Sequence, residues 1–87
     1  MPSDNEFPYG YIKHTKEIGE AIRMRRKEQG VTQAECAALC GVGVRFISNL
    51  ENGKQTAELS KVIHVMHSLG LELMIQLRSW QSIGRRR

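Results

Sequence analysis

The stretch Thr32–Gly53, T-Q-A-E-C-A-A-L-C-G-V-G-V-R-F-I-S-N-L-E-N-G, decides how this chain folds. Thr32 and Glu35 have the spacing of a capping box, in which the Thr32 hydroxyl takes a free amide of the first turn and the Glu35 carboxylate reaches back to the cap. A helix is therefore predicted over 33–40. Gly41-Val42-Gly43 ends it, because Gly41 can take the left-handed conformation that closes a helix and Gly43 can begin the next. A second short helix follows from Val44 to Asn52, with Ile47 and Leu50 turned inward and Asn52-Gly53 as its stop. The small and apolar residues have steric tasks. Ala37, four before Gly41, lies where the two helices cross closely, Val42, Ile47 and Leu50 anchor the second helix to a core, and Cys36 and Cys40 are small enough to be buried. Val44, Arg45, Ser48, Asn49 and Asn52 are left facing outward.

Upstream, Thr15 is placed to cap a helix whose positive end suits Glu17, with Ile18, Ala21, Ile22 and the Arg25 stem as an apolar stripe and Gly30 as the stop. The basic last turn of Arg25, Arg26 and Lys27 suits either the helix dipole or a nucleic-acid backbone. Downstream, Thr56 is placed to cap a fourth helix with Glu58 in its first turn, and Leu59, Val62, Ile63, Met66 and Leu69 fall on one face before Gly70. The segment L-E-L-M-I-Q-L then alternates, with Leu71, Leu73, Ile75 and Leu77 on one side, which is the period of a strand. A lone strand leaves its amides unsatisfied, so the expected partner is the same segment of a second copy, giving a two-fold dimer. Its rival is the shorter Phe7, Tyr9, Tyr11 alternation, broken by Pro8 and Gly10. The expected organisation is an N-terminal arm over 1–14, a helical domain over 15–70, a dimerisation strand over 71–78 and a basic tail over 79–87. In that tail Trp80 is placed either to fill a partner's pocket or to cap the paired strands. The fold class expected is mainly α, four helices with one C-terminal β-strand pairing across a dimer.

A chain of 87 residues is a single domain, and one this short is marginal in stability unless a second copy covers more apolar surface. Lys and Arg outnumber Asp and Glu by 13 to 9, a net charge of +4, which suits a polyanionic partner. No apolar run approaches the roughly 20 residues of a membrane span, and residues 1–10, with Asp4 and Glu6, do not resemble a secretory signal. The expectation is a cytoplasmic protein with no membrane segment. Cys36, Cys40, His64 and His67 invite a zinc reading, but two cysteines one helical turn apart are read as buried thiols, so no metal or other cofactor is expected. With no oxyanion site, orienting third residue or glycine-rich phosphate loop, the chain is not expected to be an enzyme.

The quoted stretch resembles the helix-turn-helix of the Cro and phage-repressor (XRE) family, a lambda-repressor-like fold. The likeness runs from about Ile18 to Leu71, with I-S-N-L-E-N-G followed by a T-A-E-L-S-K-V-I helix. The strand L-E-L-M-I-Q-L after the fourth helix is similar to that of HipB-type antitoxins, small repressors whose subunits pair by a C-terminal strand and which bind a HipA-like kinase toxin. The resemblance implies that the helix beginning near Gly43 enters the major groove of double-stranded DNA while the preceding helix crosses the backbone. Arg45 would then read guanine, Ser48 a base edge or phosphate, and Val44 a thymine methyl. The resemblance also implies backbone contacts from Gln33 and Asn49, a further DNA contact from Lys54, and a structural role for Glu51, paired with Arg25, Arg26 or Lys54. Gly43, at the start of the recognition helix where the family usually has a polar residue, is counted with them as a DNA contact. The implied function is repression from an inverted-repeat operator at the chain's own promoter, as the antitoxin of a HipA-like kinase. A stand-alone repressor and a protein-interaction adaptor on the same fold remain open.

Overall fold

The computed structural model describes residues 9–78, which form four helices: α1 (Thr15–Glu28), α2 (Gln33–Cys40), α3 (Val44–Glu51) and α4 (Leu59–Ser68). The mainly helical expectation holds, and α2 occupies the predicted span.

Its capping box is closed from both sides. Glu35 donates its amide to the Thr32 hydroxyl at 3.0 Å, and Thr32 donates its amide to the Glu35 carboxylate at 2.8 Å. Gly41 closes the helix at φ +71°, and Val42 returns its amide to the Ala37 carbonyl at 3.0 Å. A side chain at Gly41 would be strained whatever the space around it.

Two helix starts differ from expectation. The N-cap of α1 is His14, and the Glu17 carboxylate reaches back to accept the amides of Lys13 and His14. These amides hold the Glu17 carboxyl below its usual range. Thr15 is drawn away from capping because its hydroxyl donates to the Gly53 carbonyl at 3.0 Å, tying the start of α1 to the end of α3. The N-cap of α4 is Glu58 rather than Thr56. Ala57 packs against the core before the helix begins, so the chain is still extended there. The apolar stripe of α4 is also shifted: Val62, Val65, Met66 and Leu69 are buried, whereas Leu59 is 64% exposed. Leu59 belongs to the first turn, which overhangs solvent, and Val65 completes the i, i+3, i+4, i+7 face instead.

One core collects Ile22 from α1, Cys36, Ala37 and Cys40 from α2, Ile47 and Leu50 from α3, Val62, Val65 and Met66 from α4, and Leu69 at the C-cap of α4. Cys36 and Cys40 are free buried thiols with sulfur atoms 4.0 Å apart. Burial, reinforced by Cys40, pushes the Cys36 thiol up to about 11, which leaves it protonated and a poor nucleophile near neutral pH. His64 sets its Nε2 2.9 Å from the Cys40 carbonyl and so covers the C-terminal end of α2.

Residues 71–78 carry no regular secondary structure within one copy of the chain. Leu71 is half-buried against the core, but Leu73, Met74, Ile75 and Leu77 face outward, Ile75 and Leu77 being 90% and 94% exposed. A ladder needs a second strand, and no strand is present among the described residues. Trp80, Phe7 and the three terminal arginines lie outside the described residues. No helix is long and apolar enough to cross a membrane among those described.

Candidate nucleic-acid interface

The turn Gly41-Val42-Gly43 sets α2 and α3 against each other, with Ala37, Val42 and Ile47 filling the angle between them. Gly43 is the N-cap of α3 in ordinary extended geometry and makes no side-chain cap. A Cβ there would meet nothing within 4 Å. Glycine is not demanded by packing at that position, and its bareness leaves open space in front of the first turn of α3.

Helix α3 has two contrasting sides. Ile47, Leu50 and Glu51 point inward, the two aliphatics into the core and Glu51 into an ionic network. Val44 and Arg45 are exposed, and Ser48 and Asn49 are half-buried beside them. Phe46, on the flank, lies under the Lys61 ammonium, 5.8 Å from the ring centroid. Among the described residues Arg45 has no salt bridge, so its guanidinium donors are available to a ligand. The Asn49 backbone carbonyl accepts the Lys54 amide at 3.0 Å. That bond keeps Lys54 at the end of α3, where it is exposed.

Glu51 is the knot of the site. Arg26 donates through Nε to one carboxylate oxygen at 2.6 Å and through Nη2 to the other at 3.0 Å. Its third nitrogen donates to the Val31 carbonyl at 2.8 Å. Gln33 adds its Nε2 to Glu51 at 2.9 Å. Burial alone acts to raise the Glu51 carboxyl, but the hydrogen bonds from Arg26 and Gln33 and the guanidinium charge outweigh it, and the carboxyl sits below its ordinary value. The same bonds hold the Arg26 guanidinium above its ordinary value. Of the three partners proposed for Glu51, the structure selects Arg26. Gln33, predicted as a backbone contact, keeps one amide N–H free of this network, and it stands at the first position of α2, where unpaired backbone amides favour an anion.

Two further residues have little signal in the sequence. Gly19 sits where α1 crosses the end of α3: a Cβ there would overlap the Leu50 carbonyl oxygen and lie 2.8 Å from that of Glu51. Gly53, at φ +81°, lies against the Lys16 backbone, so that Lys16 and Lys54 come to the same end of α3. Neither contact is visible locally, because the partners are more than 30 residues apart.

This is two short helices at a fixed angle, the second with an open polar side. The helix-turn-helix family pattern matches residues 22–74. The chain belongs to the helix-turn-helix family. Among its relatives is the HTH-type transcriptional regulator y4mF of Sinorhizobium fredii, 47% identical over 64 residues, a match covering 74% of this chain and 84% of that one. Among solved structures, HipB in the HipA-HipB-O2-O3 complex superposes with a TM-score of 0.73 at 25% identity, over 82% of this chain and all of the other. HipB in its O4 20mer complex gives the same TM-score, identity and coverage. This chain thus has an XRE-type helix-turn-helix domain with the architecture of HipB.

Proposed function

We propose that this helix-turn-helix protein is a dimeric repressor that reads an inverted-repeat operator at its own promoter, and that it is the antitoxin partner of a HipA-like kinase. The observation that carries the DNA reading is the two-sided α3, locked on its inner side by Ile47, Leu50 and the Arg26–Glu51 pair and open on its outer side at Val44 and Arg45. In the major groove Arg45 is the residue with the reach and fork geometry for guanine O6 and N7, Val44 for a thymine methyl, and Ser48 for a base edge. Gln33, Asn49, Lys54 and Lys16 surround them as phosphate contacts that fix register without reading sequence. Such a regulator works in the cytoplasm and needs no catalytic group.

Pairing through residues 71–78 would bury the exposed Leu73, Ile75 and Leu77 and set two recognition helices about one helical turn of DNA, roughly 34 Å, apart. The kinase partnership is drawn from the likeness to HipB, which occurs in a complex with HipA.

The test is an anisotropy titration against a duplex of the chain's own upstream promoter at two salt concentrations. Arg45→Ala is expected to lose about 1–3 kcal/mol, or about 5- to 150-fold in affinity, for the promoter while keeping its weak binding to unrelated DNA. Lys54→Ala is expected to weaken both equally and to reduce the salt slope by about 1. Sequence-blind binding by the wild type would sink the operator reading. The kinase reading is tested separately by co-expression with a neighbouring kinase-like open reading frame, and it fails if the two products do not co-purify.

A further inference from the structure

We propose that Arg25 is a positioning residue for subunit pairing: by holding the last carbonyl of α4 it sets the direction in which residues 71–78 leave the domain, and with it the separation of the two recognition helices. This rests on the dimer reading above. Arg25 Nε donates to the Leu69 carbonyl oxygen at 2.7 Å, and Gln29 Nε2 reaches the same oxygen at 3.3 Å. Two side chains from the end of α1 therefore converge on the C-cap of α4. Arg25 Nη1 in turn lies 3.2 Å from the Glu28 carboxylate, which accepts the Tyr9 hydroxyl at 3.0 Å. Tyr9, the end of α1 and the exit of α4 form one connected relay.

The backbone at that exit is constrained from several sides. Gly70 takes φ +83°, and a Cβ on it would lie 3.1 Å from the Arg25 guanidinium. Leu71 returns its amide to the Met66 carbonyl at 2.7 Å, and its side chain packs on the core. Beyond Leu71 every described residue is exposed. The exit angle is thus set at residues 69–71 and read out further along. An extended segment advances about 3.3 Å per residue, so a swing of about 10° at Leu71 moves Leu77 sideways by about 3.5 Å, most of the roughly 4.8 Å that separates paired strands. A sideways shift of that size takes the far end of the segment out of hydrogen-bond reach of a partner strand. Gln29 alone, at the longer distance and without charge, holds that carbonyl less firmly than the guanidinium does.

The test uses the full chain with a nitroxide on a cysteine introduced at the exposed Asn52, Cys36 and Cys40 being buried. Distances between the two labels of a dimer are measured by pulsed electron resonance, and the dimer dissociation constant by sedimentation. The wild type is expected to give one narrow distance distribution. Arg25→Met, which keeps the stem and loses the donors, should broaden or shift it by several ångströms and weaken the dimer about 10-fold, with the helical circular dichroism unchanged. Arg25→Lys, which keeps a donor, should restore much of the narrow distribution, and Arg25→Leu, a second neutral side chain without donors, should broaden or shift it and carries the test if Arg25→Met does not fold. An unchanged distribution in Arg25→Met and Arg25→Leu overturns the proposal. Ile75→Asp separates the two readings: if it leaves the protein dimeric, the dimer reading itself fails, and if it yields monomers while Arg25→Met and Arg25→Leu keep the wild-type distance, only the role of Arg25 falls.

Discussion

Arg26→Met is expected to cost about 3–5 kcal/mol of folding stability, because it strands the Glu51 carboxylate without its charged partner in the interior. The Glu51 side chain is 3% exposed and that of Arg26 9%, so water replaces little of what is lost. For a domain whose whole stability is on the order of 5–15 kcal/mol, the change brings the protein near its unfolding threshold. Urea denaturation followed by circular dichroism reads it directly, and a loss under about 1 kcal/mol would show that the pair contributes little. The acid response should change with it. In the wild type the Glu51 carboxyl lies below its unfolded value. Its contribution is therefore complete above the ordinary carboxylate range and is lost as the pH falls through the depressed folded value. In Arg26→Met, burial is left to dominate and raises that carboxyl. The variant should then recover part of its deficit on acidification, where Glu51 becomes neutral, while the wild type loses stability.

Gly19→Ala should destabilise the protein, against the ordinary sign for this substitution in a helix. In a helix interior alanine is favoured over glycine by roughly 0.5–1 kcal/mol. Here the new methyl would meet the backbone carbonyls of Leu50 and Glu51, which cannot rotate aside as a side chain does. Overpacking of this kind costs typically about 1–3 kcal/mol, and in a domain of this size each kcal/mol lowers Tm by about 4–8 °C. Relief requires α1 to lift from the end of α3, which also disturbs Thr15 on Gly53 and the Lys16–Gly53 approach. A calorimetric Tm at or above the wild-type value would mean that α1 does not lie as close to α3 as the structure places it. Gly43→Ser is the contrasting case. With nothing within 4 Å of its Cβ and extended backbone geometry, serine can cap α3 and should raise stability by a few tenths of a kcal/mol.

The four helices, the turn at Gly41 and the span of α2 are legible in the residues themselves, since a capping box and a left-handed glycine act within four or five positions of the chain. The open side of α3 was legible for the same reason: Ile47 and Leu50 fix which way the helix faces, and Val44, Arg45, Ser48 and Asn49 are what remains. Thr15 and Thr56 have the composition of caps, yet neither is one. Thr15 is claimed by a carbonyl 38 residues away, and Thr56 precedes an alanine already packed into the core. A hydroxyl's local preference is worth about 1 kcal/mol, small enough for a tertiary bond to override.

Residues within a few positions of one another thus settle the local grammar: which segments are helical, where the tight turn falls, and which side of the second short helix is polar. The packed fold is what makes Arg26 rather than Arg25 or Lys54 the partner of Glu51, brings Gln33 to them, crosses α1 over α3 at Gly19, and sets Arg25 on the exit of α4. Each of these joins residues distant along the chain, and many pairings of a few arginines with a few carbonyls and carboxylates are compatible with the same local pattern. Close packing around a single core removes that freedom, because it leaves one cation within reach of the buried carboxylate and room for no side chain where two backbones touch.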